Sequence, residues 1–294
     1  MSALVVNEEV LGQIELLQTL IKNNVAGRFG GNHQSKTYGS SCEFADYRDY
    51  IPGDDITKID WNAFARFDKL YLKLYLDERQ VHTRIYIDAS RSMGFGKGKK
   101  DEQAIKIAAA LAYISICEMD RVSIYTIRDN HVEEVISNML GREAYFNNIN
   151  KLNDIEFDGD CAISEAILPS TVGYGDGLSV IISDFLTEND YENAIDHLAS
   201  KRRDILCIQV LSQEEISPKA RGKMHFYDSE NPENFYRRHI NREIIRAYKL
   251  AVEYATGRIR DHCLSRGGEY MLVSSQDTLQ KVFFDNMITL GVLK

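Results

Sequence analysis

The pentapeptide Asp88-Ala89-Ser90-Arg91-Ser92 sets one carboxylate and two hydroxyls at positions i, i+2 and i+4. Hard oxygen donors of this kind suit a small cation such as Mg²⁺ or Mn²⁺. They follow Thr83 to Ile87, a β-branched and aromatic run that predicts a buried strand, and a helical pattern starts at about Glu102. Donors just past the carboxyl end of a strand stand where open α/β sheets hold their ligands. The same residues could instead only turn the chain and cap the helix. A second run repeats the grammar: the apolar strand from Leu178 closes on Ser183-Asp184. If the two strands are parallel, Asp88 and Asp184 reach one sheet edge.

The elements that must position these groups are legible as periodicities. Apolar residues from Val10 to Ile21 recur at helical spacing, predicting an amphipathic helix over about 7–25. Gly27 to Ser41 is polar and aperiodic, a loop. After the pentapeptide, Gly94 to Lys100 reads as a flexible basic loop at the site's rim, followed by a helix to Met119. Val122–Ile127 and Val132–Ile136 read as strands joined at Asp129-Asn130, the latter an antiparallel edge. Helices are expected over 143–152, 191–199 (capped by Asp190), 240–265 and 277–290, with strands over 205–210, 223–227 and 269–273. Strands alternating with helices imply βαβ units and a mainly parallel sheet.

The bulk numbers narrow the function classes. Across 294 residues the net charge is −9, which argues against a general nucleic-acid binder. No apolar run approaches the roughly 20 residues that span a bilayer. The first residues lack the basic-then-apolar pattern of a secretory leader. Five scattered cysteines without CxxC spacing are simplest as reduced thiols, so a cytoplasmic protein is expected.

Between Cys42 and Arg79 the chain is dense in paired acids and arginines around its only tryptophan, Trp61. Asp46, Arg48, Asp54, Asp60 and Arg66 suit a structural ion-pair lattice, or alternatively a docking face. The run Glu43-Phe-Ala-Asp-Tyr-Arg48, then Pro52-Gly-Asp-Asp55, Ile59-Asp-Trp61, Ala65-Arg66 and Glu78-Arg79 ahead of the Asp-x-Ser-x-Ser-Met strand resembles the domain-of-unknown-function 58 family. Gly222 to Asn231 and the closing Leu290-Gly-Val-Leu293 extend the resemblance over nearly the whole chain from Gly27. Proteins of that family are von Willebrand factor A-like. The resemblance implies a Rossmann-type three-layer α/β sandwich with a mostly parallel sheet over 79–294. An N-terminal helix and a small β-rich sub-structure over 1–78 would pack on it. It further implies cooperation with a MoxR-type AAA+ ATPase in assembling or activating other proteins.

In von Willebrand A domains the Asp-x-Ser-x-Ser loop forms a metal-ion-dependent adhesion site, completed by a threonine from a second loop and an aspartate from a third. The resemblance therefore implies Asp88, Ser90, Ser92 and Asp184 as ligands of Mg²⁺, with Mn²⁺ or Ca²⁺ as substitutes. It departs at the second loop, where Cys161 stands at the threonine position. A neutral thiol is a poor ligand for a hard cation, so binding is expected to be weak or absent unless Asp160, Ser164 or water fills the gap. Such a site recognises a carboxylate on a protein client rather than turning over a substrate. The enzymatic rival is a Mg²⁺-dependent phosphohydrolase using strand-end aspartates, with Asp54, Asp55, Asp158 and Asp160 as further carboxylates. Cys161 as a thiol nucleophile lacks a histidine tied to it by sequence. Gly94 to Lys100 lacks the P-loop form. The expectation is a binding module.

Overall fold

The structure is a computed structural model. It describes residues 4–24, 44–75, 81–94, 98–160, 162–172, 174–175, 177–186, 191–218, 222–227 and 235–284. In chain order the elements are α1 (Glu8–Asn24), β1 (Phe44–Asp49), α2 (Trp61–Phe67), β2 (Tyr71–Tyr75), β3 (His82–Asp88) and α3 (Arg91–Gly94). Then come α4 (Lys100–Cys117), β4 (Arg121–Arg128), β5 (His131–Met139), α5 (Arg142–Asn148), α6 (Ile163–Ile167), β6 (Leu178–Ser183) and α7 (Glu192–Ser200). The chain continues with β7 (Asp204–Leu211), α8 (Gln213–Ile216), β8 (Gly222–Tyr227), β9 (Phe235–Ile240), α9 (Arg242–Ser265), β10 (Glu269–Ser274) and α10 (Leu279–Lys281). The expected cap Asp190 and the last six residues of the expected 277–290 helix lie outside the described residues.

The chain divides into two compact units, residues 1–29 with 81–294, and residues 30–80. In the larger one a six-stranded sheet runs β10-β7-β6-β3-β4-β5 among the described residues. All its pairings are parallel except β4–β5. This is an α/β three-layer architecture with a mostly parallel sheet, as the alternation of strands and helices predicts. β5 is the antiparallel edge, joined to β4 through Asp129 and Asn130, both at positive φ (50° and 62°), which a tight hairpin requires. The chain starts the sheet at β3, builds outward to β5, then returns to lay β6 on the other side of β3. The strand order thus reverses between β3 and β6, and open α/β sheets place their ligands at that crevice.

Alternation along the central strands divides the core. Ile85, Ile87, Val180, Ile182, Leu206 and Ile208 face one cluster with α1, α4 and α5. Tyr86, Ile181, Ile205 and Cys207 face the other, with α6, α7 and α9. Helix α4 is buried almost all round, from Ala104 to Ile116, because it lies between the sheet and helices α1 and α5. Helix α1 contributes Val10, Ile14, Leu17 and Ile21 to the same cluster, so it groups with the body and not with the 30–80 segment.

The amino ends of the strands are tied by Arg203. Its guanidinium donates to the carbonyls of His82 and Leu178 and to Ser179 Oγ (3.1 Å). Gly177 sits against it at φ 155°, where an added Cβ would come within 2.2 Å of the guanidinium. Burial, and then Arg84, Arg203 and Arg121, push the His82 imidazole down from 6.5 to about 4. Below pH 6.5 the unfolded chain takes up a proton that the folded chain refuses until about pH 4. Stability should therefore fall by about 1–3 kcal/mol as pH drops through that window. His82→Gln should remove that component, measured as the pH dependence of urea unfolding; an unchanged slope would place the cause elsewhere.

The 30–80 unit pairs β1 with β2 antiparallel and carries α2. Asp60 caps α2, accepting from the amides of Asn62 (2.9 Å) and Ala63 (3.2 Å) and from the Tyr47 hydroxyl (2.8 Å). The Tyr47 bond, ahead of those two amides and Lys73, holds the Asp60 carboxyl down at about 2 despite its burial. Arg48 pairs with Asp54 at 2.8 Å. Asp60 also pairs with Lys73 (3.3 Å), while Asp46 and Arg66 are exposed. Trp61 is 62% exposed at the start of α2 and does not form a buried centre.

Candidate functional site

The loops after β3 and β6 meet at the switch point. Asp88 ends β3 and is 2% exposed. Its Oδ1 accepts from the Ser90 amide (2.9 Å) and its Oδ2 from the Ser183 hydroxyl. The Ser90 and Ser92 hydroxyls lie 3.0 Å apart, and Ser92 Oγ donates to Asp184 Oδ2 at 2.8 Å. Four of the residues singled out in the sequence, Asp88, Ser90, Ser92 and Asp184, are thus joined by one hydrogen-bond chain. Ser183 extends it: its hydroxyl also accepts from the Phe185 amide (2.9 Å). Phe185 itself holds φ at 50°, a strained conformation for an aromatic residue that sets the turn carrying Asp184.

Asp184 is fixed from behind. Its carbonyl accepts from Gln209 Nε2 (2.7 Å), and the Tyr270 hydroxyl donates to Gln209 Oε1 (2.6 Å). Burial, reinforced by the negative charge of Asp184, raises the Asp88 carboxyl above its ordinary range despite the hydrogen bonds it receives. Two carboxylates and two hydroxyls converging in a buried place that resists further negative charge are a donor set fitted to a small hard cation.

One cation is already there. Lys100, the first residue of α4, is 3% exposed, and its Nζ donates to Asp184 Oδ2 at 2.8 Å and to Glu215 Oε1 at 2.7 Å. Burial works against its charge, but Asp184 and Glu215 outweigh that and hold the ammonium above the usual lysine range. Glu215 in turn closes a capping box on α8, with its Oε2 accepting from the Ser212 amide (2.7 Å). This corrects the reading of Gly94 to Lys100 as a mobile rim loop at its last residue; residues 95–97 lie outside the described residues. The position of Lys100 ahead of an apolar helical run was the available signal. A lysine closing a run of lysines (Lys97, Lys99, Lys100) nevertheless reads as solvated.

The second loop runs beside the first: Gly159 bridges Ser90, and the Arg91 amide donates to the Gly159 carbonyl (2.7 Å). A Cβ at Gly159 would meet Arg128 Cγ at 2.3 Å, so glycine is needed for the approach. Cys161 lies outside the described residues. Asp160 is exposed, its backbone paired with Asp129. Ser164 turns away, its hydroxyl accepting from the Ala194 amide (3.1 Å). Asp158 is exposed beside Arg128, while Asp54 and Asp55 belong to the 30–80 unit. Among the described residues no group of three or more His, Cys, Asp or Glu side chains is poised for a metal, so the cluster depends on its serines. No helix there is long and apolar enough to cross a membrane.

A family model described as Protein of unknown function DUF58 matches residues 46–256. Proteins of Mycobacterium tuberculosis and Mycobacterium bovis, both described as uncharacterized, are 24% identical over 225 residues, 74% of this chain and 70% of theirs. Among solved structures, BatB from Bacteroides thetaiotaomicron is 17% identical, with 72% of this chain and 99% of that one covered and a TM-score of 0.44. The SpRpn10 VWA domain is 11% identical, with 69% and 92% covered and a TM-score of 0.38. The architecture itself rests on the strand order and pairings of the sheet.

Proposed function

This chain belongs to the DUF58 family, and from that premise we propose that it is a non-enzymatic protein-interaction module. Its docking point is the cluster of Asp88, Ser90, Ser92 and Asp184. The single observation carrying this reading is the hydrogen-bond chain at the switch point that runs from Asp88 through the Ser90 amide and the Ser90 and Ser92 hydroxyls to Asp184. Mg²⁺ is the proposed cofactor, held by those four residues with Cys161 or Asp160 at the second loop. Once bound, it would offer an open coordination position to a carboxylate of a client protein. The chain's own part is to hold the donors: Ser183 and the Ser90 amide fix Asp88, Gln209 and Tyr270 fix Asp184, and Gly159 brings the second loop alongside.

The proposed partner is a MoxR-type AAA+ ATPase, and the proposed compartment is the cytoplasm. No described feature favours the phosphohydrolase alternative. Cys161→Thr, supplying the missing hydroxyl, should tighten Mg²⁺ binding about tenfold by titration calorimetry. An unchanged affinity would show that Cys161 is not the second-loop position. Capture of a purified MoxR-type ATPase should persist in Mg²⁺ and fail in EDTA. Capture in both buffers would keep the partner and remove the metal from its mechanism.

A further inference from the structure

We infer that Lys100 is a built-in competitor of the metal: its ammonium closes the site, and a divalent cation enters only as Lys100 gives up Asp184 and is left with Glu215. The inference rests on the metal reading above and goes beyond it, assigning the site a regulating residue.

The geometry carries it. Asp184 Oδ2 receives both the Ser92 hydroxyl and the Lys100 ammonium, each at 2.8 Å. A cation held by Ser92 and Asp184 would share that carboxylate with the ammonium, because its other oxygen, Oδ1, already accepts from the Leu186 amide (3.1 Å), and two cations on one carboxylate repel. The lysine cannot simply retreat to water, because its side chain is 4% exposed and opens a helix buried nearly all round. A second anion waits instead: Glu215 Oε1 lies 2.7 Å from the same Nζ, and its side chain is 25% exposed, against 3% for Asp184. Glu215 is itself held in place by the capping box with Ser212. Lys100 therefore has two partners, one of them a proposed metal ligand and the other free of the metal. Displacement from the first leaves the second intact, so the two cations can exchange without stranding a buried charge. Because the exchange links the site to α8, whatever engages Glu215 must alter metal affinity, and the reverse.

The test is Mg²⁺ titration calorimetry on wild type, Lys100→Gln and Glu215→Gln, with folding checked by circular dichroism. Lys100→Gln removes the competitor and should bind Mg²⁺ about tenfold more tightly or better. Glu215→Gln removes the fallback anion, so metal entry would strand the ammonium, and binding should weaken by a similar factor. A residue that merely braces the fold would not move affinity in opposite directions. Equal affinity in all three proteins overturns the gate and leaves the metal site standing. Failure of all three to bind Mg²⁺ overturns the metal reading and the gate together. If Lys100→Gln does not fold, Glu215→Gln decides alone: weaker binding supports the gate, and unchanged or tighter binding overturns it.

Discussion

Lys100→Met is expected to cost about 3–5 kcal/mol of stability in metal-free buffer, because it leaves buried carboxylates without their counter-charge. Asp184 and the ammonium are 3% and 4% exposed and 2.8 Å apart. Removing the ammonium leaves Asp184 next to Asp88, whose carboxyl is already raised by burial and by that neighbour. The melting temperature should fall by on the order of 10 °C. Mg²⁺ should restore part of the loss, since a ligand at a hundredfold its dissociation constant adds about 2.7 kcal/mol. Glu215→Gln should lose much less in metal-free buffer, because Glu215 is 25% exposed and its charge is better hydrated. Calorimetric melts in EDTA and in Mg²⁺ test both variants. A loss under about 1 kcal/mol for Lys100→Met would place this pair with ordinary surface ion pairs.

Asp88→Asn should separate function from stability. The carboxyl is raised above its ordinary value, so its ionised form is disfavoured in the folded state. For such a group the stabilising contribution is present at low pH and is lost as pH rises from 3.8 through the raised value. Above that window the buried charge opposes folding, and the isosteric amide, which never ionises, should hold stability or raise it by about 0.5–2 kcal/mol. The amide oxygen can still accept from the Ser90 amide, and its NH₂ can donate to the Ser183 hydroxyl. Mg²⁺ affinity should fall at least a hundredfold, since one of two carboxylates in the donor set is gone. Any Mg²⁺-dependent ATPase capture should go with it. A variant that is more stable yet still binds Mg²⁺ as wild type would remove Asp88 from the ligand set. A variant that unfolds would show Asp88 to be a structural group first.

The strand-end motifs were legible because they are local. Asp88, Ser90 and Ser92 lie within five residues, and the apolar runs before Asp88 and Asp184 announce buried strands on their own. The hairpin at Asp129-Asn130 and the antiparallel edge were legible for the same reason, since turn chemistry and alternation are short-range. Other elements carried weaker signals. β1 reads Phe-Ala-Asp-Tyr-Arg-Asp, and β9 reads Phe-Tyr-Arg-Arg-His-Ile. Neither shows clean period-two patterning, and their pairing with β2 and β8 is a hydrogen-bonding fact that no local pattern states.

By itself the sequence determined the α/β alternation, the two strands that end in aspartate and the hydroxyls beside the first. It took the folded chain to bring those aspartates to the switch point and to set a buried ammonium between Asp184 and Glu215. Lys100 meets Asp184 across 84 positions and Glu215 across 115. Nothing in a lysine's near neighbours tells a solvated ammonium from a buried one. Its burial follows from where α4 begins against the sheet, and burial is what turns the charge into a competitor for the site.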